Sequence, residues 1–595
     1  MSSRGRVTGV DSNVLTVRAD GPVHQNEICS VLAGESRLLG EVIRVAGQTA
    51  SAQIFESTRG LFVGMEVEFS GRMLEAQLGP GIMSRIYDGL QNNLETRKGQ
   101  FLIRGEYTPP LDEAALYDFT PLARAGDVVA AGDWIGEVRE NWIPHKIMVP
   151  FDLEGRYSVE WLSTEGRRRI NDVVARLKAP DGGTTEVTMV QRWPVKKPIT
   201  RFREKPRPYR IMETGIRIID TFNPITEGGT GFIPGPFGAG KTVLQHALAK
   251  NAEADVIIVA ACGERANEVV ELFTEFPELK DPRTGRALME RTTIVCNTSS
   301  MPVAAREASV YTAITIAEYY RQMGLRVLIL ADSTSRWAQA LREMSNRLEE
   351  LPGPDAFPMD LPAVIAAFYS RAGVVVLNNG RTGSVTFIGT VSPAGGNLKE
   401  PVTESTKKVA RCFYALSQSR ADAKRYPAID PLESYSKYLD YAEVQQALKE
   451  RMGAEWVTEV TSAKSWMKRG RDAADQINIL GDDGVPLGHH VVFWKSEVID
   501  SVLMQQDGFD PVDSTTPLER QKYMMGIVME ICGAELVFDT FEEVAAYFKK
   551  LINTLKQMNY SGFKSAEFSR YESELRKMIE EKRASGEKSS AAPEG

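Results

Sequence analysis

Four runs of this chain are apolar almost without a break: "ADVIIVAAC" at 254–262, "TTIVCN" at 292–297, "LRVLILAD" at 325–332 and "VVVLNNG" at 374–380, with helix-length segments between them. A strand exposed on one face alternates apolar with polar residues, whereas a strand apolar at every position must be covered on both faces. A parallel sheet wrapped by helices meets that demand. The middle of the chain is therefore expected to be an α/β core. At 595 residues the chain exceeds the roughly 250–300 residues at which a single core stops growing, so that core is one of three or four domains.

The flanking texture differs. From 4 to about 70, short alternating segments such as "GRVTGVDSNVLTVRA" and "RLLGEVIRVAG" are broken by turn residues, which suggests a small antiparallel barrel. Between about 110 and 200 a second β-leaning region, including "GDVVAAGDWIGEVREN" and "HKIMVPFDLEGRYSVEWL", looks like an inserted all-β module. From about 436 the chain turns helical and closes on the amphipathic segment "SAEFSRYESELRKMIEEKRAS" and a polar tail. The expected boundaries are 1–72 for the barrel, 73–109 for a linker, 110–195 for the inserted bulge, 196–435 for the core, 436–585 for the helical domain and 586–595 for a disordered tail.

Apolar residues at 43% and charged residues at 25% belong to ordinary folded protein. A net charge of -8 argues against a general nucleic-acid binder, which needs a basic excess to displace counterions. The basic runs "GRRRI" at 166–170 and "VKKPITRFREKPRPYR" at 195–210 read as solvated linker or surface charge. Five widely spaced cysteines without a CxxC pair suggest neither a disulfide framework nor a metal site, and fit a reducing, cytoplasmic setting. No stretch of about 18 apolar residues occurs and the start lacks a signal-type apolar segment. A membrane, if one matters, is expected to be reached through partners.

The octapeptide "GPFGAGKT" at 235–242 fits G-x-x-x-x-G-K-[ST]. In that pattern glycines let backbone N–H groups converge on phosphate oxygens, the lysine reaches the outer phosphates and the hydroxyl ligates Mg²⁺. The candidate nucleotide-binding residues are Gly235, Pro236, Phe237, Gly238, Ala239, Gly240, Lys241, Thr242 and Val243. A plausible helix, "VLQHALAKNA", follows, and its N-terminal dipole favours an anion. Asp332, ending the run "VLILAD", is the expected second metal-side residue, although an aspartate there also serves as a turn former or helix cap. Cleavage further needs a group that orients or deprotonates water. Glu264, just past "VIIVAAC", is the candidate; a Glu-Arg pair at a strand end is also a common surface ion pair.

Five ordered motifs, "FIPGPFGAGKT", "CGERANEV", "NTSSMPVAAREAS", "ADSTSRWAQALREMS" and "VSPAGGNLKEPVTEST", resemble the catalytic A subunit of the V-type and A-type rotary ATPases, and the resemblance covers essentially the whole chain. It implies a multidomain α+β fold: an N-terminal β-barrel, an inserted all-β bulge module, a RecA-like P-loop α/β core with a parallel sheet, and a C-terminal helical domain. It also implies ATP or ADP as substrate with Mg²⁺ held by Thr242 and Asp332, Lys241 on the γ-phosphate, Glu264 activating the water, and Arg265 contacting phosphate or linking sites. Tyr426 in "YPAIDPL" and Phe509 in "QQDGFDPVD" are the aromatics expected against the adenine.

The implied partners are a non-catalytic B-type subunit in an alternating A3B3 ring, central-stalk and peripheral-stalk subunits, and indirectly a membrane sector that moves protons or sodium ions. The chain would then sit peripherally on the cytoplasmic side of a membrane. The competing reading is a homohexameric P-loop motor for protein export, which should lack the 110–200 insertion. "YPAIDPL", Ala266 after "GER" and "FPMDLPAVIAAFYSRAG" at 357–373 depart from the family pattern, and Ala239 predicts no thiol switch in the loop.

Overall fold

A computed structural model describes residues 3–34, 36–95, 105–265, 268, 274, 276–299 and 301–583. The expected tail at 586–595 and the departure at Ala266 lie outside the described residues. The chain divides into two compact units, Met1–Pro208 with Glu227–Pro234 and Ala254–Ala410, and Tyr209–Thr226 with Gly235–Glu253 and Arg411–Gly595.

The first unit opens with a closed six-stranded antiparallel barrel running from Arg4–Asp11 to Glu66–Met73, and those two strands seal it through the pairs Arg4↔Glu68 and Gly5↔Val67. Alternation in the sequence becomes alternation in burial: in Val14–Ala19 every second residue points inward. Val7, Leu15, Val17, Val31, Leu38, Val67 and Phe69 fill the interior. The insertion holds two four-stranded sheets around one apolar core that includes Phe119, Ile135, Ile147, Val159 and Leu177. The buried carboxylate of Glu140 ties it down, accepting from Gly81 N at 2.7 Å, Met83 N at 2.8 Å and the Tyr320 hydroxyl at 2.9 Å.

The core sheet of this unit runs, in spatial order, Thr230–Pro234, Thr382–Val391, Arg326–Asp332, Val256–Glu264, Thr292–Thr298 and Ile86–Tyr87, all parallel. Val256–Glu264 is buried at every position, as its uninterrupted apolar run requires. Three features depart from the sequence reading. The run at 374–380 yields only Gly373–Val376, which lies antiparallel to Thr382–Val391, a strand whose threonines, serine and glycine hid it. The stretch read as a linker contributes Ile86–Tyr87 to the sheet. Within the run read as solvated charge, the Lys196 ammonium lies 2.7 Å from Glu41 Oε1 and 3.5 Å from Glu307 Oε1, both carboxylates being buried.

The second unit is mainly helical, with Ala442–Met452, Trp456–Leu480, Leu487–Ile499, Leu518–Gly533, Phe541–Tyr560 and Ala566–Lys582. Side chains start the last two: Thr540 Oγ1 accepts from Glu543 N at 3.3 Å and Ser565 Oγ from Phe568 N at 3.1 Å, satisfying amides that a helix start leaves open. The segment 209–226 is held to the turn before Leu518–Gly533 by the buried Arg217–Asp513 ion pair, and to that helix by Gln521, whose Nε2 donates to Asp220 at 3.1 Å. All five cysteines are free and buried, and burial pushes each thiol up to about 12. Among the described residues no helix is long and apolar enough to cross a membrane.

Candidate nucleotide site

In the second unit, Gly235–Gly240 forms a loop that delivers the chain into the helix Lys241–Asn251. Gly238 and Gly240 adopt φ of 80° and 90°, a left-handed conformation that a side chain resists. Gly240 is the N-cap and makes no side-chain capping bond, so the positive end of the helix dipole lies at the loop, where it favours an anion. A β-carbon on Gly235 would come within 2.7 Å of Leu416, which keeps that position glycine. Ala239 is buried, while Phe237 and Val243 are exposed.

Lys241 turns back on the loop, its ammonium donating to Gly235 O at 2.9 Å and Pro236 O at 2.8 Å, and Thr242 is exposed beside it. The ring of Tyr426 borders the loop: a β-carbon on Gly240 would lie 3.9 Å from its Cε1. The carbonyl of Tyr426 accepts from Gln506 N at 2.9 Å, which sets the turn carrying Phe509 next in line. Phe509 is 93% exposed, so no core-packing role accounts for it. Three of the residues singled out from sequence, Lys241, Thr242 and Tyr426, thus cluster around one loop.

In the first unit, Glu264 ends the central strand and is only 8% exposed. The pairing with Thr292–Thr298 slips at Gly263, whose φ of 68° turns the strand end, and this bulge aims the next residue. Asp332 ends the adjacent strand in register with Ala261, and its Oδ1 accepts from Thr390 Oγ1 at 2.5 Å.

Two residues that the sequence did not single out complete this group. Burial, a hydrogen bond shared with Glu268 and the negative charge of Asp332 push the Glu264 carboxyl up to about 9, against the pull of Arg336. The same hydrogen bond, with the Arg265 amide and the charges of Arg265 and Arg336, holds Glu268 below its usual range. The two carboxyls are coupled through this contact, Glu264 shifted upward and Glu268 downward. The available signals were spacing ones: Glu268 follows Glu264 by four residues, and Arg336 follows Asp332 by four inside "ADSTSRWAQALREMS". Arg265 itself is exposed, with its amide directed at Glu268.

Among the described residues no cluster of three or more His, Cys, Asp or Glu side chains could cage a metal. The candidate donors are a hydroxyl and a carboxylate, hard oxygens that suit Mg²⁺, which characteristically takes one or two protein ligands and completes its shell with phosphates and water. The donor set therefore fits an ion that arrives with a nucleotide.

A phosphate loop opening a helix, a parallel sheet with carboxylates at its strand ends, and barrel and barrel-sandwich additions define the class: a multidomain P-loop nucleotide-binding protein. Comparison with protein families agrees. Residues 215–436 match the nucleotide-binding domain of the ATP synthase alpha/beta family, 108–196 the alpha/beta subunit barrel-sandwich domain, and 7–71 the family's beta-barrel domain. The chain is 49% identical to V-type ATP synthase alpha chain 1 of Treponema pallidum (strain Nichols) over 97% of its length and 96% of the relative's. It is 48% identical to the V-type ATP synthase alpha chain of Borrelia recurrentis (strain A1) over 98% of its length and the whole of the relative's. The chain belongs to the V-type ATP synthase alpha chain family.

Proposed function

We propose that this chain is the catalytic subunit of a rotary V/A-type ATPase, splitting or making ATP at interfaces with a B-type subunit and coupling that chemistry to proton or sodium transport across a membrane. The observation that carries the reading is the placing of Glu264: nearly buried, aimed by a bulge at a sheet edge, and pushed upward by burial and neighbouring acids. A carboxyl held above its ordinary range is, once ionised, a stronger proton acceptor than a surface glutamate. A binding-only subunit has no need of such a group.

In this reading Lys241 leaves its loop carbonyls for the γ-phosphate, and the loop amides at Gly235–Gly240 hold the inner phosphates. Thr242 and Asp332 would hold Mg²⁺, which when bound neutralises charge on the phosphate oxygens. Glu264 orients the attacking water and takes its proton as the new oxygen–phosphorus bond forms in line with the bond to the departing ADP. Glu268 and Arg336 tune and position Glu264, Arg265 contacts phosphate, and Tyr426 and Phe509 flank the base.

The charge on the transferring group calls for an arginine finger, worth about 10³–10⁵ in rate, which family membership attributes to the B-type partner of an alternating A3B3 ring. Central and peripheral stalks would complete the assembly, with this chain peripheral on the cytoplasmic side. The export-motor reading is not favoured, given the near full-length identity to V-type alpha chains and the match across the insertion. The test is reconstitution: the purified chain should hydrolyse ATP poorly, and adding the B-type subunit should raise turnover at least about tenfold. Full turnover from the chain alone would refute the shared site.

A further inference from the structure

Tyr426 and Phe509 stand on two turns of the second unit, and both turns are fastened to one buried carboxylate, that of Asp500, which no step of the proposed reaction uses. We propose that Asp500 is a positioning residue that holds the two aromatics in their base-binding arrangement before a nucleotide arrives, so that it governs affinity for the base and leaves affinity for the phosphates alone. The inference rests on the reading of Tyr426 and Phe509 as the pair flanking the base.

Asp500 is 3% exposed and opens the π-helical turn Asp500–Met504 that follows the helix Leu487–Ile499. Its Oδ2 accepts from Arg425 Nη1 at 2.7 Å and from Gln505 Nε2 at 2.9 Å, and its Oδ1 lies 2.7 Å from Arg420 Nη1. Arg425 immediately precedes Tyr426, and Glu497, on the last turn of the preceding helix, grips the same guanidinium through two contacts of 3.0 Å. Arg420 sits on the short helix Gln418–Asp422, where the Ala421 carbonyl accepts from the Tyr426 hydroxyl at 3.3 Å. Among the described residues Nε and Nη2 of Arg420 make no hydrogen bond, so the Asp500 carboxylate is what fixes that guanidinium. The backbone and the hydroxyl of Tyr426 thus both lean on pieces of chain pinned to Asp500. Such charge-assisted contacts are roughly twice as strong as neutral ones.

Gln505 leads into the turn that carries Phe509, and its backbone N–H also donates to Asp500 O at 3.0 Å. The next residue, Gln506, closes the circuit by donating its N–H to Tyr426 O at 2.9 Å. Within the turn, Asp513 Oδ2 accepts from Asp507 N at 2.7 Å, and Asp507 Oδ1 accepts from Phe509 N at 2.9 Å. Phe509 therefore projects into solvent from a hydrogen-bonded base. An exposed ring on a fixed base is set in advance for a flat partner, and a site ordered in advance loses less freedom when its ligand binds. Removing the charge of Asp500 would loosen both turns while leaving the loop at 235–242 with its own contacts.

The test is calorimetric titration of the full-length chain with Mg·ATP and, separately, with Mg·tripolyphosphate, which presents the phosphates without a base. The unaltered chain should bind ATP more tightly than tripolyphosphate. Asp500→Asn, which keeps the shape and removes the charge, should weaken ATP about tenfold and leave tripolyphosphate within about threefold. Arg425→Gln, at a half-exposed position, should reproduce that selective loss, and the double variant should lose little more than either single one, because both changes cut the same link. If Asp500→Asn does not fold, Arg425→Gln in the otherwise unaltered chain decides with the same two ligands. Unchanged ATP affinity, equal losses for ATP and tripolyphosphate, or losses that simply add in the double variant would overturn the role of Asp500. An unaltered chain that binds tripolyphosphate as tightly as ATP would instead refute Tyr426 and Phe509 as the base-binding pair, and the proposal with it.

Discussion

The phosphate loop and the carboxylate edge solve opposite problems. The loop at 235–242 is made of backbone: its glycines supply conformation, its lysine rests on its own carbonyls, and Phe237 and Val243 stand in solvent. The edge around Glu264 and Asp332 is made of side chains gathered at buried strand ends, where burial and neighbouring acids push the Glu264 carboxyl upward. Binding can be built cheaply from local geometry, whereas reactivity needs a group held in an environment it would otherwise avoid.

That contrast is open to direct attack. The largest effect is expected from Glu264→Gln, which should lower turnover of the reconstituted complex by about 10²–10⁴ while ATP affinity stays within about threefold; a chain that keeps its turnover removes Glu264 from the mechanism. Lys241→Ala should do the converse, costing affinity first, and an unchanged equilibrium titration with ATP would show that the loop does not grip the outer phosphates. Tyr426→Ala should weaken nucleotide binding by about 1–3 kcal/mol, the range for base stacking on an aromatic ring. Phe509→Ala should cost less, because that ring is 93% exposed; equal losses would mean that both rings clamp the base.

The smallest effect is on stability. The Glu264 carboxyl sits near 9 in the folded chain against an ordinary 4.5, so the native state binds the extra proton between those values and stability falls as pH rises from about 4.5 to about 9. Glu264→Gln abolishes that loss. Its thermal midpoint should exceed that of the unaltered chain by a few degrees at pH 8 and by less at pH 5. A variant destabilised equally at both values would show that burial of the carboxyl carries no penalty.

Much of the fold was legible because its signals are local. The period-two pattern of Val14–Ala19 survives as alternating burial, and the unbroken run 254–262 became a strand buried along its whole length. Thr382–Val391 was missed for the complementary reason: its polar and small residues, Thr382, Gly383, Ser384 and Thr386, are all acceptable in a strand covered on both sides, but none advertises one. Ile86–Tyr87 is too short to show any period, and only pairing with Thr292–Thr298 makes it a strand. Lys196 looked like solvated charge until Glu41 and Glu307, more than a hundred residues from each other, closed on it.

The sequence by itself determined the spacing of the phosphate loop, the strand-terminal positions of Glu264 and Asp332 and the succession of barrel, insertion, sheet and helices, since each depends on residues within one turn or one strand of each other. Only the tertiary structure decided that Glu268 and Arg336 share the environment of Glu264 and that Tyr426 borders Gly240. Apart from Glu268, four residues from Glu264, those juxtapositions join segments from tens to hundreds of residues apart. Coulomb and desolvation energies depend on distance and burial in space, quantities that no separation along the chain encodes.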